Sequence, residues 1–468
     1  MTLTARRSWF RLDRHDGLRT LIPSPAAKAR AAARPWFDLG RHDVRSTLPA
    51  AIRAIMQDGL LDRMFHESLR PELLFPQIAD PEPWQGGLGD RRIMTRNGLM
   101  TPDPTAITGS DASTGTYDIE QWEVVMDQYG KAVETNMLQS RMTLASKFLN
   151  DVSRLGIHAG QTINRLARNK LYRGYAGGRT YCRTAGSSDT SIVVASVDGF
   201  THKIVNGVPT AVSASNPLTV SIEGVANTVT GVDTVTGTLT LGTARADVLG
   251  DSVVSAQAPY SVRAGTSNDS AFDLGAGDLI KFSHFRAAVA RLRRMSVPSA
   301  EGGNYVAHID SVTESQLFED TEFQNLYQGR ADSETYRDLA LGVFGGIVWV
   351  RNEEVPYLTT ASTGYEDLLT TVHRPIVVGS GALVSAPFED IGGLLRETGV
   401  ADVPEIAMIN VAPGVDVARI VRPPQDRLQQ IVSTAWSWVG DYGVPSDSLA
   451  NGDPAQFKRA VMLEHSAN

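Results

Sequence analysis

The chain contains a single cysteine, Cys182, among its 468 residues. One thiol can form no internal disulfide and supports no cysteine-rich zinc site, so synthesis in a reducing cytoplasm is expected. The opening residues, MTLTARRSWFRLDRHDG, lack the continuous apolar core of a signal peptide. No run approaches the roughly 18 apolar residues that cross a bilayer, so no membrane partner is expected.

Recognisable chemistry is missing too. There is no G-x-x-x-x-G-K-[ST] loop for phosphates and no G-x-G-x-x-G after a strand; Gly342–Gly346 and Gly379–Gly381 lack the spacing and the following helix. The nine histidines are scattered, with no H-E-x-x-H pair. Gly379-Ser380-Gly381 reads as a tight turn rather than a nucleophile elbow. Cys182 has no neighbouring histidine to activate it and reads as a buried or bystander thiol. Glu353-Glu354 and Glu389-Asp390 read as solvated acids. No catalytic residue, metal or cofactor is expected, and the chain reads as a non-enzyme.

What is present is an ordinary globular composition, 42% hydrophobic and 21% charged. The length calls for two or three domains. The formal charge of −8 hides an asymmetry. Residues 1–53 hold eleven Arg/Lys against four acids, a net of +7, which leaves −15 on the remainder. A basic arm on an acidic body suits an anionic polymer, the acidic surface of a neighbouring copy, or merely solvent.

Residues 1–50 mix Arg, Ala and Pro without a long apolar period and read as an extended arm. A short amphipathic helix is expected near Leu48–Leu61, with Ile52, Ile55, Met56 and Leu60 on one face. From Pro71 to Gly130 prolines and glycines flank two strand-like pieces, Arg91–Arg96 and Thr116–Met126. A compact domain rarely holds so long a helix-free stretch, and a projecting β-hairpin turning within 98–115 explains it better.

Between Asn136 and Tyr172 the period becomes helical, with Leu138, Met142, Ala145, Leu149 and Val152 on one face. Arg141, Lys147, Arg154, Arg165, Arg168 and Lys170 stand there against one acid, Asp151. Such a face is either a nucleic-acid contact or a solvated side of a core helix. Gly156 and Gly160, one turn apart, permit close approach by another backbone. Trp436 and Trp438 share one strand face and should anchor a sheet or interface.

From Thr180 to Ala264 the chain is rich in Val, Thr, Ser and Gly. Turn signals recur at Asp198-Gly199, Asn206-Gly207, Asn216-Pro217, Thr236-Gly237 and Gly250-Asp251, which predicts a small inserted β-sandwich or barrel. A helix is expected at Phe282–Met295, burying Phe282, Phe285, Val289 and Leu292. Short strands are expected at Tyr305–Ile309, Ile347–Val350, Ile376–Val378, Glu405–Val411, Val415–Val421 and Ile431–Val439, with a helix at Val312–Phe318. The carboxy half is α+β.

This order of arm, hairpin, long basic helix, β insertion and α+β remainder resembles the major capsid proteins of tailed bacteriophages with the Hong Kong 97-type fold. It is most similar to the N-four-like coat protein family, through Gln128-Tyr129-Gly130, the Met295–Pro298 step, the strands Tyr305–Ile309 and Gly346–Val350, Val377–Ala382, and Trp436–Gly440. Asp310-Ser311 departs from that family's usual turn. The resemblance implies an arm and short helix over 1–84, an extended β-hairpin loop over 85–130 and the spine helix of a peripheral domain over 131–180. An inserted all-β domain over 181–265 and peripheral and axial domains over 266–468 complete it.

It further implies a coat subunit that builds hexamers and pentamers of an icosahedral shell around double-stranded DNA. The basic residues of the spine would face that DNA. Scaffolding, portal and decoration proteins would be partners, and the chain would reside in the virion capsid after synthesis in the host bacterial cytoplasm. Other readings of the same features are an encapsulin-like compartment shell, another phage structural protein, and a non-viral binding protein with an adhesive β module.

Overall fold

The computed structural model describes residues 10–11, 22–23, 60–69, 73–82, 91–97, 111, 114–115, 119–142, 147–205, 208–265, 271–300, 302–328, 342–359, 370–388, 405–412, 414–424, 426–428, 430–446 and 457–467. Most of the expected arm, most of the Leu48–Leu61 helix and nearly all of the hairpin turn at 98–115 lie outside these residues. Residues 1–47 and 330–340 form a unit of their own, in which Phe10–Arg11 pairs antiparallel with Ile22–Pro23. The following paragraphs concern the larger unit.

A helix of 29 residues, Lys147–Tyr175, is its longest described element. It buries Phe148, Val152, Leu155, Ala159, Ile163, Ala167 and Leu171, which recur at three- and four-residue steps and so fall on one side. The expected start at Asn136 is corrected. Asp127–Asn136 is a strand and Met137–Met142 a separate short helix. Leu138, assigned to the buried face, is 52% exposed. Residues 127–136 have little apolar alternation of their own. Their extended state comes from antiparallel pairing along Ile431–Gly443, from Asn136↔Ile431 to Asp127↔Gly440.

That long strand is the centre of a six-stranded sheet with Val415–Arg422, Glu405–Ala412, Leu383–Pro387 and Ala79–Pro81. Helix Lys147–Tyr175 lies against it, and Trp436 and Trp438 are buried in the shared core. Trp438 stacks on Tyr129 and Tyr442, while Trp436 meets His158 of the helix. Both tryptophans are anchors, as their two-residue spacing predicts.

Helix Leu60–Leu69 packs along Lys147–Tyr175, burying Leu61, Phe65 and Leu69, and reaches the same sheet through Asp62, which pairs with Arg419 at 2.7 Å. It crosses at Gly156, where a Cβ would stand 2.8 Å from the Phe65 carbonyl oxygen and would collide with Ser68 Oγ. Close approach is therefore what Gly156 provides.

An eight-stranded mixed sheet forms the second core. Tyr305–Ile309 pairs parallel with Ile347–Arg351 and antiparallel with Ile376–Val378, which in turn pairs with Ala460–Ser466. Helix Phe282–Arg294 covers this sheet through Phe282, Phe285, Val289 and Leu292, the stripe read from the sequence. Helices Ser311–Glu319 and Thr321–Gln328 follow the first strand. The unit is α+β. No described helix is long and apolar enough to span a membrane.

The insertion is a six-stranded antiparallel sheet with its own core around Ile192, Phe200, Leu218, Val220, Val229 and Leu239. Its end strands, Arg179–Tyr181 and Gly186–Val193, also meet. Cys182 bridges to Val194, Arg183 N–H donates to the Val193 carbonyl and Ala195 N–H to the Tyr181 carbonyl. The sheet therefore closes into a barrel, which removes its open edges. Gly199, at φ +81°, makes the Asp198-Gly199 turn possible, because a Cβ there would run into the Gly178 backbone.

Candidate functional site

Two surfaces are candidates: the basic side of helix Lys147–Tyr175 and the ribbon formed by Arg91–Asn97 with Ile119–Val125.

The helix periodicity that buries Val152, Leu155 and Ala159 turns Lys147 and Arg154 to solvent. Among the described residues neither has an acidic partner within ion-pair distance. Arg165 and Arg168 point instead at one carboxylate. Arg165 donates from Nε and Nη2 to Glu354 at 3.0 Å each, and Arg168 Nη1 donates to the same side chain at 3.0 Å. The hydrogen bond from Arg165 holds the Glu354 carboxyl below its ordinary range. Lys170 Nζ donates at 2.6 Å to Asp441, which is buried on the central strand. Burial pushes the Asp441 carboxyl up, and the bond from Lys170 opposes that shift. Arg141 belongs to the short helix Met137–Met142, and its side chain lies outside the described residues. The six basic residues thus fall into an open pair and three members tied to acids of the same chain, with Arg141 apart.

Glu354, expected to be solvated, is half of that clamp. Asn164, not anticipated, is buried in the helix. Its Oδ1 accepts the backbone N–H groups of Leu74 and Phe75 at 3.1 and 2.9 Å. An Asn in an apolar stripe was the only sequence signal for this link.

The ribbon pairs antiparallel from Arg91↔Val125 to Asn97↔Ile119. Alternation sends Met94, Trp122 and Val124 to one face, where they are buried on Val384 and Ala386 of the body. Gly443 makes room beneath, since a Cβ there would be 2.7 Å from Val124 Cγ2. The other face presents Ile93 at 66%, Ile119 at 47% and Val125 at 36% exposure. Three apolar β-branched side chains stay this open among the described residues, although Val208–Ala211 of the insertion comes beside the strand Ile119–Val125.

Elsewhere the chemistry is quiet. Burial, with nearby Asp247 adding to it, pushes the Cys182 thiol up to about 12, so it stays protonated and unreactive at neutral pH. Among the described residues no group of three His, Cys, Asp or Glu is arranged to hold a metal. Asp310, Thr313, His373 and His465 form a buried hydrogen-bonded group in which Thr313 Oγ1 lies 2.8 Å from His465 Nε2. Thr313 has no exposure at all, which denies a substrate access to it.

Comparison with solved structures returns phage capsids. The fold is similar to the capsid of Ralstonia phage GP4, at 14% identity over 84% of this chain and 88% of that one, with a TM-score of 0.45. It is similar to the cyanophage Pam1 capsid asymmetric unit, at 13% identity over 86% and 92%, TM-score 0.47. It is also similar to the capsid of Helicobacter pylori bacteriophage KHP30, at 9% identity over 84% and 89%, TM-score 0.44. No protein-family model matches the chain, and no curated protein matches it.

Proposed function

We propose that this chain is the major coat subunit of a tailed bacteriophage, a non-enzymatic protein that assembles with its own copies into the hexamers and pentamers of an icosahedral shell around double-stranded DNA. The observation that carries this reading is the ribbon. Isolated two-stranded ribbons are marginal in water and need cover. This one is held by its own body on the Met94–Trp122–Val124 face and exposes Ile93 and Ile119 on the other. A repeating neighbour that covers the second face supplies the missing burial, and the same contact repeated in every copy builds a closed assembly.

On this reading the spine helix lines the interior, with Lys147 and Arg154 available to phosphates. Scaffolding, portal and decoration proteins are further partners, and the virion capsid is the location. The deciding experiment pairs Ile93→Asp with Ile119→Asp, both at exposed positions that leave the buried face intact. The variant should fold with an unchanged melting temperature yet give no closed shells in electron micrographs. Normal shells from it would remove the ribbon from the interface. Failure of the unmodified chain to form capsomers or shells, with scaffold present, would remove the coat-protein reading itself.

A further inference from the structure

The outer side of helix Phe282–Arg294 and the corner between helices Ser311–Glu319 and Thr321–Gln328 form one surface with opposite charge at its two ends. The first helix contains Arg286, Arg291, Arg293 and Arg294 and no acid, and residues 311–328 contain Glu314, Glu319, Asp320 and Glu322 and no base. Within the chain this charge is only partly matched. Arg286 pairs with Glu322 at 2.7 Å, Glu314 pairs with Arg351, and Asp320 accepts the backbone N–H of Phe282.

Arg293 and Arg294 at one end and Glu319 at the other remain exposed, with no oppositely charged partner among the described residues. Glu319 also sits in the last turn of its helix, where a carboxylate opposes the helix dipole and gains from an external cation. Phe282 adjoins the acidic corner, so the two ends are separated by the rise of about eleven residues, roughly 16 Å. Between them runs a shallow groove of about 450 Å³ lined by Ser283, Arg286, Ala287, Ala290, Arg293 and Gly345.

We infer that this surface is a contact between copies of the chain, in which Arg293 and Arg294 of one copy meet the Glu319–Glu322 corner of the next. The two ends are distinct and complementary, the arrangement a head-to-tail contact requires to close a ring. Small side chains in the groove let the neighbour come close enough for the charges to pair. The inference rests on the coat-subunit reading and specifies which described surface its capsomers use.

The test reverses each end separately. One variant carries Arg293→Glu with Arg294→Glu, the other Glu319→Lys with Glu322→Lys. All four side chains are solvent-facing, and the Arg286 pair that Glu322→Lys gives up is an exposed one that contributes little, so both variants should keep the far-ultraviolet spectrum and melt within a few degrees of the parent. Each alone should lose capsomers by at least tenfold in light scattering and electron micrographs. Mixing the two variants should restore hexamers, in which they can alternate, and combining all four changes in one chain should restore pentamers as well, since each reversed end then meets its complement. If the unmodified chain assembles and both folded variants assemble equally well, the contact is wrong and the coat reading stands. Loss without restoration on mixing or combination also overturns the charge pairing. If the unmodified chain does not assemble, the coat reading fails first.

Discussion

Glu464 shows how much a single side chain can hold. It lies fully buried on the strand Ala460–Ser466, with Arg263 Nε at 2.7 Å and Arg374 Nη2 at 3.0 Å. Arg179 adds a third positive charge nearby, and its own pKa is brought down to about 10 by burial and then by Arg263. Arg179 belongs to the strand entering the insertion and Arg263 to the strand leaving it. One carboxylate therefore offsets both crossings. Removing it leaves buried guanidinium groups unpaired, a change that costs about 3–5 kcal/mol. Glu464→Gln should lower the melting temperature by several degrees or more, and an unchanged melting curve would show that the cluster is not a structural clamp.

The buried histidines set a pH dependence. Burial brings His308 down to about 4, and burial does the same for His465 against the opposing pull of the Ser466 carbonyl. Unfolded histidine titrates near 6.5, so between pH 6.5 and 4 the unfolded chain binds more protons than the folded one. Stability is then complete above pH 6.5 and falls as the pH drops towards 4. Burial raises the Asp310 carboxyl, but hydrogen bonds from His373 and Thr313 outweigh it and hold it at about 2. Its contribution is present above the ordinary carboxylate value and is lost only below that. Melting temperatures measured from pH 7 to 4.5 should decline, and His308→Phe, which keeps the ring stacked on Phe75, should flatten that slope. An equal slope in the variant would clear His308 of the effect.

At the scale of elements, Leu60–Leu69 crosses the helix Lys147–Tyr175 at Gly156 with no room for a Cβ. Gly156→Val would drive two methyl groups into the Phe65 carbonyl and Ser68, and overpacking of this kind costs about 1–3 kcal/mol. The expected result is a lower denaturation midpoint with faster amide exchange in 60–69 than elsewhere. Uniform exchange across the chain would place the strain somewhere else.

The same helix shows where sequence pattern stopped. Its helical state was legible, but of the face named from the sequence Val152 alone lies in the buried stripe, with Leu149 partly buried beside it. Its beginning was not: Leu138 and Met142 continue the same period by chance, and residues 127–136 become a strand only because Ile431–Gly443 offers a partner along their whole length. The insertion behaved similarly. Alternation and turn glycines mark strands, but barrel closure depends on Cys182 meeting Val194, a pairing that no local pattern encodes.

For the whole molecule, the proposed interior surface narrows to Lys147 and Arg154, since Arg165, Arg168 and Lys170 are tied to Glu354 and Asp441. Lys147→Glu with Arg154→Glu should lower the yield of DNA-filled particles while empty shells form normally, because each removed phosphate contact weakens binding without touching the fold. Unchanged filling would dismiss this face as a DNA contact.

The sequence by itself determined the α+β class, the strand-rich character of residues 180–264, the stripe of Phe282–Arg294 and the anchoring pair Trp436 and Trp438. These follow from periodicity and turn chemistry, which are local. Only the tertiary structure decided which basic residues stay open, that Asn164 ties Leu74 and Phe75 to the helix Lys147–Tyr175, that Glu464 gathers three arginines, and that the ribbon packs its Met94–Trp122–Val124 face on the body. Each of these joins positions tens to hundreds of residues apart, and the pairing of charges across such distances is set by how the sheets stack rather than by any neighbour along the chain.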